Sequence, residues 1–200
     1  MTGKPFILGL TGSIGMGKSA VAAMFRGLGV PLFDADAAVH ELQGPGGACL
    51  APIERAFPGT TGPAGVDRQK LGAAVFGNPE ALKLLESIVH PEVAEMRRTF
   101  LADNVTAPLI VFDIPLLFEK TGQHGLDAVL VVSASAAQQR ERVLARPGMN
   151  EEKFERILAL QVPDAEKRAR ADYVIDTGVS LAETRHAVQQ LVHALTSPKK

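Results

Sequence analysis

The chain has 200 residues, of which 46% are hydrophobic and 22% are charged, and its formal net charge is −1. These values are typical of a globular domain, and the near-neutral charge argues against a general nucleic-acid-binding surface. Cys49 is the only cysteine, which excludes an intrachain disulfide and a cysteine-based metal cluster, so we expect a small buried or half-exposed thiol. The sequence shows no long apolar run and no basic, cleavable leader, so we expect a cytoplasmic protein without a membrane partner.

The first predicted strand, Phe6 to Leu10, leads into a glycine-rich loop, and a helix is predicted to follow. The loop satisfies the pattern G-x-x-x-x-G-K-[ST] in the strand-loop-helix context that binds a nucleoside triphosphate. Its backbone N–H groups are expected to surround the β-phosphate, while Lys18 reaches the β- and γ-phosphates and Ser19 binds Mg²⁺. The expected nucleotide-binding residues are Gly12, Ser13, Ile14, Gly15, Met16, Gly17, Lys18, Ser19 and Ala20.

The second predicted strand, Val30 to Phe33, runs into the acidic sequence Asp34-Ala35-Asp36. Residues two apart on an extended chain face the same way, so both carboxylates can point toward the carboxyl edge of the sheet, where such sheets bind ligands. Asp36 can orient an acceptor hydroxyl and take its proton, or help to hold Mg²⁺ through water. The alternative is that Asp36 only caps a helix that begins at Ala37.

An insertion, from about Asp36 to Pro108, separates the second and third strands, because this stretch is too long for a simple crossover. Within it, Glu80 to Val89 and Glu92 to Ala102 have helical spacing, and Pro91 is expected to break or kink the chain between them. None of the five histidines has metal-ligand spacing. His90 is singled out because it directly precedes Pro91 within the insertion. It is either a structural residue at the helix junction or part of a functional site.

The third predicted strand, Leu109 to Phe112, closes in Asp113, the arrangement that places a carboxylate beside the metal of a phosphate-binding loop. The alternative for Asp113 is a turn before Pro115. Two further strands are predicted at Ala128 to Val132 and Tyr173 to Ile175. Five short buried strands that alternate with helical stretches predict a doubly wound α/β fold with a parallel sheet.

A helical segment rich in arginine, Gln138 to Arg170, is predicted between the fourth and fifth strands. Arg142 and Arg146 are four residues apart, so on a helix they share a face and can clamp phosphates when the segment closes over the nucleotide. The alternative is a solvated helix face on which these arginines pair with neighbouring glutamates.

Taken together, the sequence resembles the dephospho-coenzyme A kinase family over nearly the whole chain. The resemblance depends on the order and spacing of several stretches, which are Leu10 to Ser19, Asp34 to Asp36, Leu85 to Pro91, Asp113 to Glu119, Gln139 to Arg146, Gln161 and Ala171 to Ile175. The chain departs from the family pattern at Asp176-Thr177-Gly178, where an Asp-Asn-x-Gly ending is common.

The resemblance implies a P-loop fold with a five-stranded parallel sheet, whose core comprises residues 1–35, 108–137 and 171–200. A helical substrate-binding insertion would span residues 36–107 and a lid residues 138–170. The resemblance also implies that the protein uses ATP and Mg²⁺ to phosphorylate the ribose 3′-hydroxyl of dephospho-coenzyme A, the last step of coenzyme A synthesis. We expect the protein to be a monomer.

By the same resemblance, Asp36 accepts the hydroxyl proton, and Lys18 and Arg142 are catalytic, with Arg146 as a second lid arginine. The acceptor-binding residues would be Thr11, Asp36, His90, Asp113 and Leu116. The nearest alternative is another small-metabolite kinase, acting on shikimate or gluconate. A GTP-dependent switch would need Asn-Lys-x-Asp and Asp-x-x-Gly motifs, which the sequence lacks. A purely structural role would leave Lys18 and Ser19 without a purpose.

Overall fold

The computed structural model describes residues 4–121 and 125–197. The chain divides into two compact units, one formed by the described residues of Met1–Phe33 and Asn104–Lys200 and the other by Asp34–Asp103. No helix among the described residues is long and apolar enough to cross a membrane. In chain order the elements are β1 (Phe6–Thr11), α1 (Lys18–Gly27), β2 (Leu32–Asp34), α2 (Ala35–Gln43), α3 (Leu50–Ala56), β3 (Thr61–Gly62), β4 (Gly65–Val66), α4 (Arg68–Val75), α5 (Pro79–Asp103), β5 (Leu109–Asp113), a π-helical turn (Leu117–Thr121), β6 (Ala128–Ser133), α6 (Ala136–Leu144), α7 (Glu151–Ala159), α8 (Asp164–Arg170), β7 (Tyr173–Asp176) and α9 (Leu181–Thr196).

The five longer strands form one sheet in the order β2-β5-β1-β6-β7, which confirms the predicted parallel α/β fold. Strand β1 is central: Leu8 lies beside Val111 of β5 on one side and Ala128 of β6 on the other. Every residue of β5 and β6 is buried, as expected where helices cover both faces of a parallel sheet.

Each of the five strands continues one residue beyond the apolar run that predicted it. The additional residue is polar in every strand: Thr11, Asp34, Asp113, Ser133 and Asp176. An apolar run ends at the first polar side chain, but the backbone pairing between strands does not depend on the side chain. The strands therefore end in polar groups at the carboxyl edge of the sheet.

The sheet is covered on one face by α1 and α9. Phe25 and Val21 of α1 and Val188 of α9 are fully buried in one cluster with Leu8 and Leu10 of the central strand. A second cluster joins Leu117 and Phe118 of the π-helical turn to Val129 and Val131 of β6. Burial of such side chains contributes about 1.5–3 kcal/mol each to the packing of these elements on the sheet.

The second unit contains the helices α2 to α5 and the small antiparallel β3–β4 hairpin. Its core includes Leu42, Ile53 and Val89 together with Cys49, whose thiol is buried as expected. Burial, and to a smaller degree the charge of Glu92, raises the pKa of that thiol.

Of the expected break or kink at Pro91, the break is wrong, because α5 is one continuous helix of 25 residues, and the kink stays a prediction. Proline removes one backbone donor and crowds the preceding turn, at a cost of about 3 kcal/mol. The apolar side chains of Leu85, Val89, Val93 and Met96 nevertheless pack into the same core on both sides of Pro91. Packing along the whole helix face outweighs the local cost.

The segment from Gln138 to Arg170 is also not a single helical stretch. It contains most of α6, followed by α7 and α8, which are separate helices. Ser135 and Gln138 form a capping box at the start of α6, and Asn150 caps α7 by accepting a hydrogen bond from the Lys153 N–H. Such caps satisfy the first N–H groups of each helix and define separate starts.

Candidate active site

The phosphate loop, Gly12 to Ser19, joins the central strand β1 to α1. Gly15 and Gly17 have φ angles of +79° and +82°, which favour glycine. A Cβ atom on Gly15 would lie 2.5 Å from Val143 of α6, and one on Gly17 would lie 3.0 Å from the Thr177 hydroxyl. Gly15 and Gly17 are therefore restricted to glycine both by their backbone conformation and by their close packing against Val143 and Thr177.

The start of α1 offers its N–H groups to an anion. The N-cap residue, Gly17, has no side-chain acceptor, and the first turn carries no acidic residue. The first N–H groups of a helix have no partner within the helix, and the helix dipole favours negative charge there. Ser19 and Ala20 are exposed in this first turn. The loop thus fits a phosphate chain, with the Ser19 hydroxyl available as an oxygen ligand for Mg²⁺.

Lys18 forms an ion pair with Asp113 at the end of β5. The Asp113 side chain is 5% exposed and that of Lys18 is 19% exposed, so the ammonium group is held close to a buried carboxylate. Thr11, predicted to contact the acceptor, is fully buried and donates a hydrogen bond from its hydroxyl to the Pro115 carbonyl at 3.2 Å. Leu116, next in the chain, is half-buried. Thr11, Lys18 and Asp113 thus meet at one edge of the sheet.

Arg142 contacts the loop that follows β7. Its guanidinium group donates to the Thr177 carbonyl oxygen at 2.7 Å and to the Thr177 hydroxyl at 3.2 Å. The Thr177 hydroxyl in turn lies 2.9 Å from the carbonyl oxygen of Met16, to which it can donate its single proton. Arg142 is therefore connected through one threonine to the backbone of the phosphate loop.

Arg146 does not share a helix face with Arg142, contrary to the expectation from their spacing. Helix α6 ends at Leu144, and Arg146 lies in the exposed turn beyond it. Pro147 and Gly148 follow directly, and neither favours continuation of a helix. The structure brings Arg142, but not Arg146, into contact with the described residues that support the phosphate loop.

The second unit holds the remaining predicted residues. The alternative in which Asp36 caps the helix is wrong: Asp34 is the N-cap of α2, and its carboxylate accepts a hydrogen bond from the Ala37 N–H at 2.9 Å. Asp36 is exposed in the first turn of that helix. His90 is exposed within α5, next to the buried Val89.

The sequence predicted no functional role for three residues that contact the phosphate loop. Thr177 contacts Met16 as described above, while Gln139 and Gln161 bond to the backbone of Ile14. Thr177 directly follows β7, so the rule that strand ends line the site would have selected it. Both glutamines belong to the stretches that carry the family resemblance, but they lie 125 and 147 residues from Ile14, and nothing in the sequence around them indicates a contact with that residue.

A five-stranded parallel sheet and a glycine-rich loop that joins its central strand to a helix define a P-loop protein, and in this one the loop lysine is paired with a strand-end aspartate. Comparison with known proteins narrows this class. The family model described as Dephospho-CoA kinase matches residues 6–183. The chain belongs to the dephospho-CoA kinase family.

Individual relatives are similar to this chain over nearly its whole length. The chain is 68% identical over 192 residues to the dephospho-CoA kinase of Novosphingobium aromaticivorans, with 96% of each protein covered. A protein of known crystal structure from Thermus thermophilus is 37% identical and superposes with a TM-score of 0.85, over 98% of this chain and 100% of that one. The dephospho-CoA kinase of Campylobacter jejuni, 24% identical with a TM-score of 0.65, shares the fold over 95% of this chain and 97% of its own.

Proposed function

We propose that this kinase transfers the γ-phosphoryl group of ATP to the ribose 3′-hydroxyl of dephospho-coenzyme A, yielding coenzyme A and ADP. The observation that carries the phosphoryl-transfer chemistry is the phosphate loop, whose uncapped helix start stands beside the Lys18–Asp113 ion pair. The family assignment supports the choice of acceptor.

On this proposal the phosphate loop and the start of α1 bind the triphosphate through backbone N–H groups, and Lys18 places a positive charge on its outer oxygens. Ser19 holds Mg²⁺, which supplies charge neutralisation on the β- and γ-phosphates when it is bound. The transition state of such transfers is loose, so most of the rate comes from positioning and from charge stabilisation.

Asp36 is proposed to orient the acceptor hydroxyl and to accept its proton, or to contribute to Mg²⁺ binding through water. Two observations support this role: Asp36 follows the carboxyl end of β2, and its neighbour Asp34, not Asp36, caps α2. Its exposed carboxylate does not serve as the helix cap. A carboxylate in this role contributes about 10²- to 10⁴-fold to the rate.

Arg142 is proposed to stabilise the transferring phosphoryl group, with Arg146 as a second cation in the exposed turn after α6. Arg142 already contacts Thr177 beside the phosphate loop, which supports its assignment. We propose that Thr11, Asp113 and Leu116 of the first unit contact the acceptor. We also propose that the second unit, with His90, is a substrate-binding unit. The second unit has its own hydrophobic core, around Ile53 and Val89, which supports its treatment as a separate unit.

The experiment that tests this function measures product formation by the purified protein with ATP and Mg²⁺. Dephospho-coenzyme A should give the 3′-phosphorylated product and ADP in equal amounts, whereas shikimate and gluconate should give none. Omission of Mg²⁺ should abolish turnover. Phosphorylation of shikimate or gluconate in preference to dephospho-coenzyme A would overturn the choice of acceptor but not the phosphoryl-transfer chemistry.

We also propose that the protein acts as a monomer in the cytoplasm. The near-neutral charge and the single cysteine, which is buried in the second unit, support this placement. Light scattering of the purified protein and fractionation of cells that produce it test the two statements separately.

A further inference from the structure

Two glutamines from the arginine-rich segment contact one residue of the phosphate loop. The Nε2 group of Gln139 donates a hydrogen bond to the Ile14 carbonyl oxygen at 2.8 Å. The Ile14 N–H donates a hydrogen bond to Oε1 of Gln161 at 3.1 Å. A backbone carbonyl only accepts and a backbone N–H only donates, so these partners also fix which end of each amide is oxygen. The backbone of Ile14 is thus held on both of its polar groups.

The bond from Gln139 determines where the next N–H of the loop points. The Ile14 carbonyl and the Gly15 N–H belong to one trans peptide unit, in which the two groups point in opposite directions. Since Gln139 lies on the carbonyl side, the Gly15 N–H is directed away from that glutamine. Gly15 has a φ of +79°, and a glycine peptide rotates readily, so without this bond the unit could turn and present its carbonyl oxygen to the phosphates.

The bond to Gln161 fixes the preceding peptide unit in the same way. When the Ile14 N–H points to Gln161, the Ser13 carbonyl points to the opposite side, where it accepts a hydrogen bond from the Met16 N–H at 3.1 Å. Two consecutive peptide units of the loop are therefore each oriented by one glutamine side chain.

Both glutamines are themselves well anchored. Gln139 is 6% exposed and belongs to α6, which begins with a capping box. Gln161 is followed by Val162, whose N–H donates to the Glu119 carboxylate at 3.0 Å. Glu119 in turn lies 2.7 Å from the ammonium group of the fully buried Lys167. Neither glutamine is a freely moving surface side chain.

We propose that Gln139 and Gln161 are positioning residues for triphosphate binding: they hold the two peptide units around Ile14 so that the Gly15 N–H faces the phosphates. The inference rests on the binding of ATP by the phosphate loop and does not depend on the identity of the acceptor. It also implies that the arginine-rich segment stays attached to the loop at Gln139 and at Gln161, so any closure involves the part between these two residues.

The test replaces each glutamine by methionine, which has a similar length but neither donates nor accepts comparably. Binding of ATP, inorganic tripolyphosphate and adenosine is then measured by calorimetry. Gln139→Met and Gln161→Met should each weaken ATP and tripolyphosphate binding about tenfold, as expected for one lost hydrogen bond, and should leave adenosine binding unchanged. In turnover, the KM for ATP should rise while the KM for dephospho-coenzyme A stays the same.

The control is Gln190→Met, because Gln190 is exposed on α9 and contacts His186 of the same helix at 2.9 Å. This variant should bind all three ligands as the unmodified protein does. If Gln139→Met does not fold, Gln161→Met decides the question, since Gln161 is only half-buried. Unchanged tripolyphosphate binding, or an equal loss for adenosine, would overturn the proposal. A protein that binds ATP without phosphorylating dephospho-coenzyme A would contradict the proposed function alone.

Discussion

Lys18 and Asp113 form an ion pair that joins the first residue of α1 to the last residue of β5. The carboxylate is almost fully buried, so the ammonium group has a fixed position before any nucleotide binds. A charge placed in advance needs little reorganisation during the reaction, which is what electrostatic catalysis requires. The buried aspartate thus accounts for how a long, flexible lysine side chain is positioned at the phosphate loop.

Replacement of Lys18 by methionine should therefore remove most of the activity. We expect kcat/KM for ATP to fall by about 10³-fold, because the charge on the transferring phosphoryl group loses a preorganised partner. Steady-state kinetics with Mg²⁺ and ATP measures this loss. Lys70→Met is the matched control, since Lys70 is exposed on α4 and pairs only weakly with Asp67 at 3.5 Å. Retention of more than a tenth of the activity in Lys18→Met would contradict this role.

The neighbouring acids Asp34 and Asp36 should respond differently to the same substitution. Asn caps a helix about as well as Asp, so Asp34→Asn should preserve the start of α2 and most of the activity. Asp36→Asn removes the proposed proton acceptor and should lower kcat by about 10²-fold or more. Binding of ATP, measured by calorimetry, should change in neither variant. Full activity of Asp36→Asn would exclude Asp36 from the mechanism.

The hydroxyl group of Thr177 should affect stability and ATP binding more than the shape of the side chain does. Thr177→Val keeps the volume of the side chain but leaves the carbonyl of Met16 without this donor, and Arg142 without one acceptor. We expect a loss of about 1–2 kcal/mol in unfolding free energy and a higher KM for ATP. Thr177→Ser keeps the hydroxyl and should restore the KM. Urea denaturation and initial-rate kinetics separate the two effects, and equal behaviour of both variants would show that the hydroxyl is unimportant.

The buried ion pair of Lys167 and Glu119 should make a large contribution to folding. Lys167 is fully buried and its ammonium lies 2.7 Å from the Glu119 carboxylate, whose side chain is 10% exposed. Removal of one partner leaves a buried charge uncompensated, so Lys167→Met should lower the unfolding free energy by about 3–5 kcal/mol. The double variant Glu119→Gln/Lys167→Met leaves no such charge and should recover part of that loss. A single variant as stable as the parent would contradict this account.

The same pair predicts how stability depends on pH. Burial alone raises the pKa of Glu119, but the hydrogen bonds from Lys167 and Val162 outweigh it, so the pKa lies below its usual value. A lowered pKa in the folded state stabilises the protein above the unfolded pKa of about 4.3, and this stabilisation is lost as the pH falls through the folded pKa. The unfolding free energy, measured by urea denaturation between neutral and acidic pH, should fall less for the Glu119→Gln/Lys167→Met variant than for the unmodified protein. Parallel pH profiles would argue against a role for Glu119.

The sequence was sufficient to predict the sheet and the phosphate loop because both depend on local signals. Buried parallel strands require short apolar runs such as Leu109 to Phe112, and the loop requires glycines and Lys18 at fixed spacing. The end of each strand was missed by one residue, because Asp113 and its counterparts interrupt the apolar pattern while the backbone pairing continues. The helix through Pro91 was missed because packing on the second unit's core, and not local propensity, decides its continuity.

By itself, the sequence determined the order along the chain of the five strands of the parallel sheet, the glycine-rich loop and the resemblance to a kinase family, since these follow from short apolar runs and from motifs of adjacent residues. Only the tertiary structure decided that Asp113 holds Lys18, that Thr177 links Arg142 to Met16, and that Gln139 and Gln161 orient Ile14. Those partners are separated by 35 to 161 residues along the chain. A hydrogen bond depends on distance and direction in space, which no spacing along the chain records.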